Sequence, residues 1–306
     1  MSRAPVGSAG PAVPAWTDDP DTLAECEACL RLRHCPGLGP RTWKRILATH
    51  GTAMAALAQA RDLGSQGLCD PAIAASLANG VRSDAARREL DAALAKGLTP
   101  LPWSHPAYPQ RLRDIIDPPA LLYVLGDAAL LDRPAVALVG ARQCSRYGFE
   151  AAWRIAADLA AAGVTVVSGL AFGIDRQAHL GGLTGPGASV AVLGTGLDLV
   201  YPDANLDVWR QLADQGAIVS EFAPGTPPQA QNFPIRNRVI AGLSLGVMSA
   251  GMISSSCSTR SGWKRSAGRW CAASTRSYPT STTPGTGNAA SSSPSTAKAT
   301  SAPSPS

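Results

Sequence analysis

The chain has 306 residues, 45% of them hydrophobic, which suffices for a buried core and for about two domains of the usual ~100–200 residues. No apolar run approaches the ~18 residues of a membrane span, and no leucine-rich segment follows a basic N-terminus, so a cytoplasmic protein without a membrane segment is the expectation. The net charge of +5 does not by itself indicate an anionic partner: six Lys or Arg and no acid lie beyond residue 250, and residues 1–250 carry −1.

Residues 1–20, rich in Ala, Pro and Gly, read as a disordered tail. Residues 21–97 read as a small all-α domain, with Ala/Leu-rich helical patterns over 22–33, 42–49, 52–60 and 83–95. Between the first two lies Cys35-Pro36-Gly37-Leu38-Gly39-Pro40-Arg41, a tight turn of the helix-hairpin-helix kind. Its glycines and the following helix start could bring backbone N–H groups to a phosphate, with Arg41 and Lys44 adding charge. Gly37, Gly39, Arg41 and Lys44 are therefore a secondary DNA-binding candidate; a plain turn or a partner-binding bundle is the alternative. Seven scattered cysteines suggest reduced thiols. Cys26-x2-Cys29, near His34-Cys35, lacks a second pair at zinc spacing and reads as buried thiols, so no metal and no cofactor are expected.

Residues 98–134 form a proline- and aromatic-bearing connector, too apolar to be a free linker and expected to pack on the sheet domain; 121–126 within it reads as a strand, and His105 as a surface histidine. Residues 135–250 alternate β-branched runs with helical patterns: strands over 135–139, 164–167, 189–193, 217–219 and 245–248, helices over about 147–162, 203–215 and 234–243. This is the pattern of a mostly parallel sheet with helices on both faces, a Rossmann-like α/β fold. Such sheets bind ligands beyond the carboxyl ends of their strands. Three glycine loops fall there: Gly140-Ala141-Arg142, Ser168-Gly169 through Gly173, and Gly194-Thr195-Gly196. With Ser145, Arg142 and Arg146 they suggest an anion cradle of bare amides, hydroxyls and guanidinium forks. Neither a G-x-G-x-x-G fingerprint nor a Walker A loop is present. Arg236-Asn237-Arg238 adds two forks and an amide at a helix start, with no acid anywhere beyond Glu221 to pair with them. Asp175 and His179 share a helix face, where capping and packing are the expected roles and catalysis is not. Residues 251–306, dominated by Ser, Thr, Pro, Ala and Arg, read as a disordered low-complexity tail.

Taken together, G-A-R-x2-S-x-Y-G at Gly140, S-G-x-A-x-G-I-D at Ser168, V-L-G-x-G-x-D-x2-Y-P-x3-N at Val192, Ser220-Glu221 and F-P-x-R-N-R-x-I-A-G-L-S at Phe233 resemble the DNA-processing protein A (DprA, or Smf) family. The N-terminal bundle resembles that family's SAM/helix-hairpin-helix-like domain. The resemblance implies a non-enzymatic mediator that binds single-stranded DNA, loads the RecA recombinase during natural transformation and forms a homodimer. It places Arg142, Ser145, Ser168, Gly169, Arg236 and Arg238 in the DNA pocket. Two departures stand out. Arg176 follows Gly-Ile-Asp where the family usually has glycine. The family's further sheet, to which its dimer surface maps, is replaced from Ser249 on, as out-of-frame translation of a GC-rich gene would do, giving a truncated copy. Two other readings compete: a nucleotide-processing, phosphoribohydrolase-like enzyme, whose P-G-G-x-G-T-x2-E loop is missing here, and an interaction scaffold.

Overall fold

The computed structural model describes Trp16 and residues 19–249; the expectations for residues 1–15 and 251–306 lie outside them. Five helices come first: α1 (Pro20–His34), α2 (Pro40–His50), α3 (Ala53–Ala58), α4 (Pro71–Ala78) and α5 (Ser83–Leu94). Side-chain oxygens of Asp19, Thr52 and Asp70 cap α1, α3 and α4, each satisfying an amide that the first turn leaves free. The start of α3 has a second acceptor. Glu25, buried in α1, takes the Ala53 and Met54 N–H groups at 2.7 and 2.8 Å and the Ser104 hydroxyl at 2.7 Å. Cys26 and Cys29 are buried beside it, and burial pushes both thiols up.

One seven-stranded sheet comes next: β1 (Thr99–Pro102), β2 (Leu121–Gly126), β3 (Ala135–Val139), β4 (Thr165–Ser168), β5 (Ser189–Val192), β6 (Ala217–Ser220) and β7 (Val247–Ser249). Their order is β1-β2-β6-β5-β4-β3-β7. The chain steps outward from β3 through β4 and β5 to β6 in parallel, then returns to place β7 on the other side of β3. β1 and β2 join antiparallel to this core. The connector thus does more than pack on the sheet: it supplies two of its strands. Pro100 and Pro102 are tolerated because β1 is an edge strand.

Helices cover both faces. Helices α7 (Arg146–Ala161), α8 (Ile174–Gly182) and α9 (Leu206–Gln215), with the N-terminal bundle, bury Tyr123, Leu138, Val166, Ala191 and Ile218. Helices α6 (Gln110–Asp114) and α10 (Asn232–Leu243) lie on the opposite face against Leu122, Ala137, Val167, Val192 and Val219. His105 is half-buried rather than on the surface, its ring 4.8 Å from that of Trp16.

Bundle and sheet are tied together by one buried carboxylate. Glu89 of α5 accepts from Arg33 and from the Tyr123 hydroxyl, and lies 2.6 Å from His34 Nε2. Arg33 also donates to the Glu221 carbonyl at the exit of β6, at 2.9 Å. Burial alone would raise the Glu89 pKa, but the hydrogen bond from His34 and the charge of Arg33 outweigh it and hold it at about 2. A carboxylate depressed in the folded state stabilises the fold above its unfolded value, and the contribution is lost as pH falls through its folded value. The wild-type melting temperature is therefore expected to fall more steeply with acid than that of Glu89→Gln between about pH 4.5 and 2. Parallel slopes in a calorimetric pH series would contradict this.

Candidate functional site

The exits of β3, β4 and β5 and the start of α10 converge at one rim of the sheet, but not as an open cradle of amides. The side chain at the centre is Arg236, 5% exposed. Its Nη1 donates to the Gly169 carbonyl at 2.8 Å and to the Val192 carbonyl, joining the ends of β4 and β5. A Cβ on residue 169 would stand 2.6 Å from that guanidinium, so the glycine is required by Arg236. Likewise a Cβ on residue 194 would meet the Phe233 ring at 3.0 Å. Asn232 beside it donates to the Gly194 carbonyl at 3.0 Å. These two strand-exit glycines admit protein side chains of α10.

The loop amides are also engaged. Asp175 Oδ2 accepts from the N–H groups of Gly169 and Ala171 at 3.2 and 3.4 Å, and Gly140 contributes a further backbone hydrogen bond. His179 Nε2 accepts from the Leu170 N–H at 3.2 Å, which leaves Nδ1 to donate to Ser189 Oγ at 2.8 Å. This fixes the neutral tautomer, and burial, helped by the Arg236 charge, pushes its pKa down to about 3. The Gly196 N–H is bonded to the Thr226 carbonyl. Asp175 and His179 thus hold the β4–α8 loop, as capping and packing residues do.

Other expected site residues divide by exposure. Ser168 is fully buried, its hydroxyl donating to the Leu138 carbonyl at 2.6 Å, so it presents nothing at the rim. Arg238 is held in the protein by Glu221 and by Asp117, 3.4 Å away. The acid-free stretch around it did not leave it unpaired, because both partners precede that stretch in the chain. Arg176 forks onto Asp207 at 2.6 and 2.8 Å and donates to Asn205 Oδ1 at 3.0 Å. Arg142, Ser145, Arg146 and Asn237 are exposed, as is Gly140, whereas Gly173 is buried. Ser145 caps α7 by accepting from the Gly148 N–H, and Arg146 pairs loosely with Glu150 at 3.1 Å.

In the helical bundle, Gly37, Gly39 and Arg41 are exposed. Lys44 is not available in the same way: its ammonium donates to the Asp114 and Ile115 carbonyls at 3.2 and 2.6 Å, docking α2 on the connector.

Sequence reasoning missed the aromatic residues of the rim. Arg142 Cζ lies 5.8 Å above the Phe233 ring, and Arg236 Cζ 6.0 Å from the same ring. Tyr201 lies 5.7 Å from Phe233, centroid to centroid. Tyr201 and Phe172 are 42% and 45% exposed. The signal was present: Tyr201 and Phe233 belong to the Y-P and F-P motifs of a chain that is only 5% aromatic. The exposed Tyr201 ring thus packs on a half-buried Phe233 that has arginines near its face, an arrangement that can serve as a platform for a flat ligand.

Fold and rim together define a Rossmann-like α/β protein with an N-terminal helix-hairpin-helix domain and no nucleotide fingerprint. The chain belongs to the DNA recombination-mediator protein A family, whose model matches residues 100–272; a model of the DprA-like N-terminal HHH domain matches residues 24–92. It is similar to Protein Smf of Synechocystis sp., 44% identical over 147 residues, which is 47% of this chain and 37% of that protein. It is similar also to the DNA processing protein DprA of Streptococcus pneumoniae, 43% identical over 143 residues, which is 47% of this chain and 50% of that one. The match therefore spans half or less of these two relatives. The X-ray structure of the S. pneumoniae protein superposes with a TM-score of 0.61 at 30% identity, covering 78% of this chain and 81% of that one.

Proposed function

We propose that the rim binds single-stranded DNA without sequence preference, and that the chain acts, as its family's name describes, as a recombination mediator. The observation that carries the reading is Arg142 placed over the Phe233 ring, 5.8 Å from its centroid, with Tyr201 beside it. Non-specific single-strand binders combine cations that follow the backbone with aromatic faces on which bases stack. In this reading Arg142, Ser145, Arg146 and Asn237 meet the strand. Arg236, Arg238, Ser168 and the glycines 140, 169, 173, 194 and 196 build the frame that holds those residues in place. Gly37, Gly39 and Arg41 are a second, weaker contact. RecA is the partner the family resemblance supplies, with a homodimer as the assembly and the cytoplasm as the compartment. No catalytic step is proposed, since the two residues with acid–base chemistry at the rim, Asp175 and His179, are spent on backbone groups.

The test is fluorescence anisotropy of a labelled oligo-dT against the full chain across a salt series. Affinity is expected to fall log-linearly with salt, with a slope of roughly −0.7 per neutralised phosphate. Absent or salt-insensitive binding would remove the proposal.

A further inference from the structure

The parts of a phosphate site are all present at the exit of β4. Loop amides, the start of a nine-residue helix and a guanidinium converge there, the combination on which Rossmann-like sheets seat the phosphate of a nucleotide. In this chain the loop amides and the helix start meet a carboxylate, while the guanidinium bonds the Gly169 and Val192 carbonyls. Asp175, second residue of α8 and 5% exposed, collects the Gly169 and Ala171 amides. An acid is favoured at that position by the helix dipole as well. Arg236 is buried as well, and its Nε has no hydrogen-bond partner, so it acts on Asp175 through its charge and not through a bond. One guanidinium N–H thus stays unsatisfied in a place from which solvent is shut out.

We infer that Asp175 is a built-in anion that fills the phosphate cradle, so that the sheet excludes free phosphate and mononucleotides from this position. Asp175 is then a specificity-determining residue. A bound polyanion is kept outside, on Arg142 and the rings, where a single nucleotide finds too few contacts to compete. That last consequence rests on the DNA reading; the filled cradle does not. The charge relations agree with the geometry: burial raises the Asp175 pKa, while Arg236 and three backbone hydrogen bonds lower it.

The experiment compares the full-length wild type with Asp175→Ala in potassium phosphate and in potassium chloride at matched ionic strength, by thermal melting. The wild-type difference measures the general salting effect of phosphate. The variant, with the cradle emptied, is expected to show an additional saturable rise of ~2–4 °C, the shift that about 1 kcal/mol of ligand linkage produces in a chain of this size. Equal shifts in two cooperatively melting proteins would overturn the inference. If the variant folds only with phosphate present, the inference stands. If it folds in neither buffer, wild-type amide NMR decides: saturable shifts of the Gly169 and Ala171 resonances with added phosphate or AMP would show an open cradle and overturn it, and unshifted resonances support it. None of these readouts involves DNA, so they can fail or succeed independently of the proposed function.

Discussion

Arg236→Ala is expected to be the most damaging single substitution at the rim, costing about 2–6 kcal/mol of stability through two buried acceptors left short of a donor. The side chain is 5% exposed and bonds two strand-end carbonyls, those of Gly169 and Val192. Its removal leaves both acceptors short of a donor in a dry place, each worth about 1–3 kcal/mol, and opens a cavity over Gly169. It also takes away a positive charge that lowers the pKa of the buried Asp175. This sets the sign of the pH dependence. Burial already raises Asp175 above its ordinary 3.8, and the loss of Arg236 raises it further. A carboxylate whose folded pKa exceeds its unfolded one takes up protons on folding, so stability falls as pH rises from the unfolded to the folded value. The variant should recover part of its lost stability as the solution is acidified towards pH 3.8, and the wild type should recover less. Denaturant titrations at pH 7 and near pH 4.5 check this; a loss that is small at pH 7, or that grows on acidification, would contradict it.

The strength of that expectation comes from contacts that could not be read along the chain. The strand exits themselves were legible: β-branched runs closing on glycine at 140, 169 and 194 placed the rim correctly, and helices on both faces followed from the alternation. The purpose of the glycines was not. Read locally, glycine offers a bare backbone to a ligand. In the fold, Gly169 makes room for a guanidinium 67 residues downstream and Gly194 for the ring of Phe233. Nothing in either segment announces its partner. The same holds for Asp175, whose place near a helix start is visible in sequence but whose grip on the β4 loop depends on how that loop folds back. Two elements were hidden by proline. Pro100 and Pro102 masked β1, which is an edge strand. The helical patterns passed over residues 71–78, where Asp70 and Pro71 are the cap and first residue of α4. Arg238 escaped for a further reason: local pairing runs along the helix and downstream, whereas its acids come from the end of β6 and from the connector.

If the exposed half of the rim is what meets DNA, Arg142→Ala and Phe233→Ala should separate binding from stability in opposite ways. Arg142 is solvent-exposed and makes its ring contact from above. Its removal touches no buried acceptor, so the melting temperature should stay within the small range usual for surface substitutions. Affinity for oligo-dT should fall about 10-fold, and the salt dependence should become shallower by roughly one neutralised phosphate. Phe233 is half-buried over Gly194, with two arginines within about 6 Å of its ring. Its loss removes a stacking face, worth about 1–3 kcal/mol per base, and should weaken binding about 10- to 100-fold without changing the salt slope. Some stability goes with it, so Phe233→Leu is the sharper probe. Leucine refills the space over Gly194 but offers no π-face, so affinity should stay low while the fold recovers. The pattern that supports the rim is a change of slope for Arg142 with no change in melting, and a change of affinity for Phe233→Leu with no change in slope. Unchanged affinity in both variants would move the DNA to another surface, with the exposed Gly37, Gly39 and Arg41 of the helical bundle as the next place to test.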